Sequence, residues 1–253
     1  MLEGKVVLVT GASSGIGRAI ALHCARAGAD LAITYRKNQS GAEGTAREIR
    51  SAGRRAEVAR IDISRRGDIA LLSDQLRNAF GRVDVWINNA GADILTGEGG
   101  RLSRPEKLDL VLTVDLRGTI LASWAAVDFM RQQGGGAAGG AIINVSWDHI
   151  SQGMEGENPG IYSAGKGGVA SFSKSLARDV APEIRVNILA PGFIETAFGE
   201  QADPNFRRRV IEMTPLRRWG TPDDVAAAAV FLASDNAAFL TGQTIMVNGG
   251  VVM

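Results

Sequence analysis

Thr10-Gly11-Ala12-Ser13-Ser14-Gly15-Ile16-Gly17 decides how the chain is read. It follows the apolar run Lys5–Thr10 and opens an apolar helical pattern over Gly15–Ala27, so it is a strand-to-helix turn carrying three glycines. Gly11 permits a tight turn, Gly15 lets the backbone approach a phosphate, and Gly17 lets helix and strand pack closely. Ser13, Ser14 and Ile16 complete the loop. The first turn of the helix then offers free N–H groups and a partial positive charge, which is a cradle for the pyrophosphate of a dinucleotide.

Outward from this turn, short apolar runs alternate with longer helical patterns. Strands are expected at Lys5–Thr10, Asp30–Tyr35, Ala56–Ile61, Val83–Asn88, Ala141–Ser146, Arg185–Ala190 and Thr244–Val247. Helices are expected at Gly15–Ala27, Gly41–Ala52, Ser64–Phe80, Pro105–Met130, Ile161–Ala181 and Pro222–Ala233, with Gly28 and Gly53 as stops and Thr221-Pro222 as a start. Runs such as Val6-Val7-Leu8-Val9 are continuously apolar, the mark of strands covered on both faces. The pattern is α/β: a Rossmann-type, doubly wound, parallel seven-stranded sheet with helices on both faces and a ligand crevice at the carboxyl ends of the strands.

The 253 residues read as one dinucleotide-binding catalytic domain spanning 1–253. The glycine-rich stretch 134–140 is expected to be a flexible link. Thr196–Leu216, with Pro204 and Pro215 around a charged middle, reads either as a substrate lid or as a surface excursion. Lys plus Arg (28) nearly balance Asp plus Glu (27), so no net field gathers nucleic acid or an anionic membrane. No apolar run is read as reaching the roughly 20 residues that span a bilayer, and Met1–Lys5 shows no leader. The single cysteine, Cys24, lies in an apolar helical pattern and reads as a core residue. A cytoplasmic protein with a small-molecule substrate, no nucleic-acid or membrane partner and no metal is expected.

At the end of the second strand, Tyr35-Arg36-Lys37 carries no carboxylate to hold ribose hydroxyls. Arg36 is placed to bind a 2′-phosphate, so NADP(H) is expected ahead of NAD(H). Asp62, with Ile63 beside it, ends the third strand and is a candidate partner for the adenine amine. Tyr162 and Lys166 stand four apart on one helical face. A nearby ammonium is expected to stabilise the phenolate, lower the phenol's pKa from about 10, and hold a ribose hydroxyl.

These motifs, with Asn88-Asn89-Ala90-Gly91 after the fourth strand, Pro191-Gly192 after the sixth and Leu240-Thr241-Gly242-Gln243 near the end, resemble in order and spacing the short-chain dehydrogenase/reductase family over essentially the whole chain. The likeness is nearest to 3-oxoacyl-carrier-protein reductases and glucose dehydrogenases. It implies sheet order 3-2-1-4-5-6-7, Tyr162 as proton donor, and Lys166 on the nicotinamide ribose. It further implies Asn89, Ala90 and Gly91 at the adenosine ribose, Ile194 and Thr196 at the carboxamide, and a homotetramer.

Two positions depart from the family pattern. Asp115, in Val114-Asp115-Leu116-Arg117-Gly118, stands where the family has an asparagine whose backbone carbonyl anchors a relay water. The family's carbonyl-polarising serine is replaced: counting from the strand gives Trp147, and counting back from Tyr162 gives His149, so a two-residue insertion is inferred. Strand alternation would put His149 on the side of Trp147, able to donate to a substrate carbonyl. Asp148 is the other candidate, as in pteridine reductases, and Ser146 or Ser151 after a loop shift is a third. The leading expectation is an NADPH-dependent carbonyl reductase acting on a ketone, aldehyde or 3-oxoacyl-like group; alternatives are a pteridine- or imine-type C=N reductase and a catalytically weak dinucleotide-binding protein.

Overall fold

The computed structural model describes residues 1–133 and 139–253. Seven strands form one parallel sheet: β1 (Val6–Val9), β2 (Asp30–Tyr35), β3 (Ala56–Arg60), β4 (Val85–Asn88), β5 (Gly140–Val145), β6 (Ile184–Pro191) and β7 (Thr244–Val247), in the order β3-β2-β1-β4-β5-β6-β7. The helices are α1 (Gly15–Arg26), α2 (Gln39–Ser51), α3 (Arg66–Phe80), α4 (Gly97–Gly100), α5 (Arg104–Val111), α6 (Thr119–Gln132), α7 (Pro159–Asp179), α8 (Ala197–Gln201), α9 (Pro204–Met213) and α10 (Pro222–Ala233).

The continuously apolar strands are explained by two cores. Val7, Val9, Leu31, Ile33, Ile87 and Ile143 point to one face with α1, α2 and α10; Val6, Leu8, Ala32, Trp86 and Ile142 point to the other with α3, α6 and α7. Each fully buried aliphatic side chain of this kind stabilises the fold by about 1.5–3 kcal/mol before ordering costs. β1 lies between β2 and β4, so the winding reverses there and opens a crevice at their carboxyl ends.

Several expected boundaries shift. β1 ends at Val9 because Gly11 turns the chain at φ +69; β3 is one residue shorter than expected, β4 starts at Val85, and β5 and β6 begin one residue early. α7 begins at Pro159, two residues before the expected start, because proline suits the first helical position. The expected helix Pro105–Met130 is three segments, with a π-helical turn over Leu112–Gly118 between α5 and α6. This continuous helical run, Arg104–Gln132, also departs from the expectation about apolar length: by length and composition alone it could cross a membrane, an 18-residue window of it having mean hydropathy 1.5, yet half of that window is buried inside the protein. The stretch Thr196–Leu216 is not a bare loop: Asp203 accepts the N–H groups of Asn205 and Phe206 and starts α9. Of the expected glycine-rich link, residues 134–138 lie outside the described residues.

Candidate active site

The glycine turn is shaped by close approach. A Cβ on Gly11 would lie 2.9 Å from Ala90 Cα, and one on Gly17 would lie 2.4 Å from the Gly11 carbonyl oxygen and from Asn89 Nδ2. Gly15 has φ +53 and faces Thr196, whose Cγ2 would be 3.5 Å from an added Cβ. The turn from β1 and the segment after β6 therefore face each other across the crevice. Ser14 caps α1 by position but contributes no side-chain bond, so the first N–H groups of the helix are not taken by it. With the small glycines around them, these groups fit a bound pyrophosphate.

Asn89 does not offer its side chain to a ligand. Its amide donates to the carbonyls of Thr10 (3.0 Å) and Gly11 (3.2 Å), while its backbone N–H and that of Ala90 donate to Thr10 Oγ1. These bonds tie the segment after β4 to the glycine turn. Tyr35 and Ile63 are buried, and Ile63 packs tightly against Gly118. Burial acts against the charge of the Asp62 carboxyl, but bonds from the Ser64 hydroxyl and N–H, with the charges of Arg36 and Arg65, hold it below its ordinary range. Arg36 is exposed, and Lys37 is paired with Glu98 at 2.7 Å. The two basic residues line a cavity of about 350 Å³ with Ala92, Asp93, Thr96 and Glu98. A larger cavity, about 490 Å³, lies beside β7 and includes neither the glycine turn nor Tyr162.

On the β6 side, Gly192 N–H donates to Val247 O, and a Cβ there would strike Asn248 at 2.7 Å. Ile194 is buried and bridges to Gly220. Pro191 to Thr196 thus leave the sheet in a fixed direction toward the glycine turn.

Tyr162 lies in the first turn of α7 and Lys166 one turn further. Lys166 Nζ is 5.6 Å from the Tyr162 ring centroid, 3.2 Å from Val145 O and 2.9 Å from Asp115 Oδ1. The Asp115–Lys166 ion pair is buried. Asp115 Oδ2 accepts the N–H of Ala92 at 2.9 Å, whereas Oδ1 meets Lys166 off hydrogen-bond direction and has no hydrogen-bond donor among the described residues. Gly91 makes room for this carboxylate: a Cβ there would stand 2.8 Å from Oδ1.

Lys166 acts on the Tyr162 pKa in the expected direction, but the expected net lowering is corrected. Burial of the phenol raises it; Lys166 pulls it down, but Asp115 and Asp93 push it up, and the net direction is upward. Burial also works against the Lys166 charge, but Asp115 and Tyr162 together outweigh it and Lys166 stays firmly protonated.

The segment after β5 differs from its expected form too. β5 ends at Val145, and Asp148–Ile150 is a short 3-10 turn, so strand alternation does not set the side of His149. Ring packing does: Trp147 stacks on His149 with centroids 5.1 Å apart, stands edge-on to Tyr162 at 5.5 Å, and His149 meets Phe193 at 5.6 Å. Asp148 is fully buried and faces inward, bonded to His149 Nδ1 at 2.7 Å and to Asn248 Nδ2 at 3.1 Å. An ionised Asp148 takes the Nδ1 hydrogen, so His149 Nε2 donates only when the ring is protonated. Ser146 is occupied, donating to Lys166 O at 2.8 Å, and Ser151 is exposed.

The sequence reading passed over Asn248, Phe193 and Trp219. Asn248 follows β7, a few residues beyond the quoted motif Leu240–Gln243. The rings of Phe193, Phe198, Phe206 and Trp219 form one connected cluster that joins α8 and α9 to His149; four aromatic residues within Phe193–Trp219 were the available signal.

The fold defines a doubly wound α/β protein with a dinucleotide cradle at its switch point. A family model described as Enoyl-(Acyl carrier protein) reductase matches residues 11–252. The 3beta-hydroxysteroid dehydrogenase 1 of Eggerthella lenta is 35% identical, covering 100% of this chain and 95% of that protein. The 3-oxoacyl-acyl-carrier-protein reductase FabG of Thermotoga maritima is 35% identical, covering 100% and 99%. Among solved structures, a variant short-chain dehydrogenase/reductase of Serratia marcescens matches with TM-score 0.89 and 29% identity, covering 100% and 99%. The chain belongs to the short-chain dehydrogenase/reductase family, whose members are oxidoreductases that bind a nicotinamide dinucleotide and act on small molecules.

Proposed function

We propose that the protein is an NADPH-dependent reductase of a carbonyl on a small molecule, with Tyr162 as the proton donor. The observation that carries this reading is the placement of the Tyr162 ring 5.6 Å from Lys166 Nζ at the crevice into which the glycine turn opens. NADPH supplies the hydride when bound. Gly11, Ser13, Ser14, Gly15, Ile16 and Gly17 hold its pyrophosphate, Tyr35, Arg36, Asp62 and Ile63 its adenosine end, Asn89, Ala90 and Gly91 its adenosine ribose side, and Pro191, Gly192, Ile194 and Thr196 its carboxamide end. Among the described residues Lys37 is engaged by Glu98 while Arg36, exposed at the end of β2, has no salt bridge; this favours NADP(H).

Tyr162 gives its proton to the substrate oxygen as the carbon accepts hydride, and Lys166 holds the nicotinamide ribose. His149, braced by Asp148, donates from a protonated Nε2 to the same oxygen, replacing the family's serine. Asp148 is bonded to His149 and Asn248, which disfavours it as the acid of a pteridine-type reaction. Residues 196–216 form a substrate lid over the crevice, and the assembly is a homotetramer on the pattern of the family.

The test is Tyr162→Phe, assayed with NADPH and a panel of ketones and aldehydes. Turnover falls about 10²- to 10⁴-fold, and unchanged turnover overturns the assignment.

A further inference from the structure

We propose that Asp115 is a positioning residue that neutralises Lys166 and thereby keeps Tyr162 a neutral phenol, biasing the site toward carbonyl reduction and confining alcohol oxidation to alkaline pH. The inference rests on the proposed function for its kinetic consequence alone.

The geometry is a built ion pair. Asp115 enters from the π-helical turn, where it is fully buried. It is seated against Gly91, fastened by the Ala92 N–H, and brought to 2.9 Å from Lys166 Nζ. Lys166 is closed in on another side by the Val145 carbonyl at 3.2 Å. A carboxylate at contact distance weakens the field that the ammonium exerts on a phenol several ångströms further away. Among the described residues, the charged groups that act on Tyr162 are Lys166 from its own helix, Asp115 from the π turn and Asp93 from the segment after β4; the segment after β5 sets the Trp147 ring against it, with the His149–Asp148 pair behind that ring. Burial of the phenol is the largest cause that raises its pKa, and Asp115 and Asp93 add to it against the pull of Lys166.

A neutral phenol is the form that protonates an alkoxide in reduction. Oxidation needs the phenolate, which must accept the hydroxyl proton as hydride leaves the alcohol carbon for NADP⁺. Asp115 therefore holds back oxidation at neutral pH and leaves reduction intact.

The chain has two tyrosines, Tyr35 and Tyr162, so the phenol can be titrated directly. The near-ultraviolet phenolate absorbance of the whole protein is followed against pH, with Tyr162→Phe giving the Tyr35 contribution to subtract and circular dichroism marking the pH at which the fold is lost. Asp115→Asn keeps the size and an acceptor for Ala92 N–H while removing the charge. The Tyr162 midpoint is expected to fall by about one pH unit or more. Asp115→Ser serves the same purpose if the asparagine variant does not fold. An unchanged or raised midpoint overturns the proposal. Because no substrate enters the titration, a lowered midpoint in a protein that reduces no carbonyl would sustain the role of Asp115 while defeating the catalytic reading. In an active protein, the pH midpoint of alcohol oxidation falls with the titration.

Discussion

The two ends of the crevice are built from different materials. At the cofactor end the surface is main chain: glycines at 11, 15 and 17 bring Ala90, Asn89 and Thr196 within van der Waals reach, and Asn89 spends its side chain on tying two loops together. At the substrate end the surface is side chain: Tyr162, Trp147, His149 and Phe193 are joined ring to ring, and two buried carboxylates, Asp115 and Asp148, stand behind them. A backbone cradle tolerates almost no substitution but recognises a fixed ligand. A ring-lined pocket can change occupant by changing one side chain, and it is here that the chain departs from its family.

The sharpest break between the ends comes from Gly17→Val. The branched side chain would press on the Gly11 carbonyl and the Asn89 amide, at 2.4 Å already for a single Cβ. Overpacking of this kind costs about 1–3 kcal/mol, so a lowered Tm and lost NADPH binding are expected together; a variant that binds NADPH normally breaks the close-packing account. Arg36→Ala sharpens the cofactor end alone. Loss of a charge-assisted bond worth about 1.5–3 kcal/mol weakens NADPH by roughly 10- to 100-fold and leaves NADH nearly unchanged, as read from the two Kd values; equal weakening removes the case for the 2′-phosphate. Asp148→Asn probes the other end with the smallest expected effect. Releasing the His149 ring lowers kcat about tenfold, or roughly 1.4 kcal/mol, with the NADPH Kd unchanged; a fall in NADPH affinity instead would mean that Asp148 supports the β6 and β7 segments and not the His149 ring.

The same contrast explains what could be read in the sequence. All seven strands lie within two residues of their expected positions at both ends, because buried parallel strands announce themselves as unbroken apolar runs. The glycine turn was legible because main-chain close approach demands glycine whatever packs around it. The π turn at Leu112–Gly118 was hidden, since one extra residue in a helical turn barely disturbs an apolar periodicity. His149 was expected on the side of Trp147 from alternation along a strand; a 3-10 turn brings the two together instead, with their rings stacked. The acidity of Tyr162 was misjudged because a motif of tyrosine and lysine says nothing of how deeply the phenol is buried, nor of a carboxylate that reaches the lysine from the π turn. The start of α9 was legible in Asp203-Pro204 but was masked by the charged residues that follow.

Hydride transfer from NADPH is the claim on which the rest stands, and isotope transfer reads it directly. NADPH carrying deuterium on the transferring face of the nicotinamide is incubated with the protein and the carbonyl panel, and the alcohols are examined by mass spectrometry. One deuterium on the carbinol carbon of a product is the predicted result. Binding of NADPH with no deuterated alcohol from any member of the panel would contradict the account.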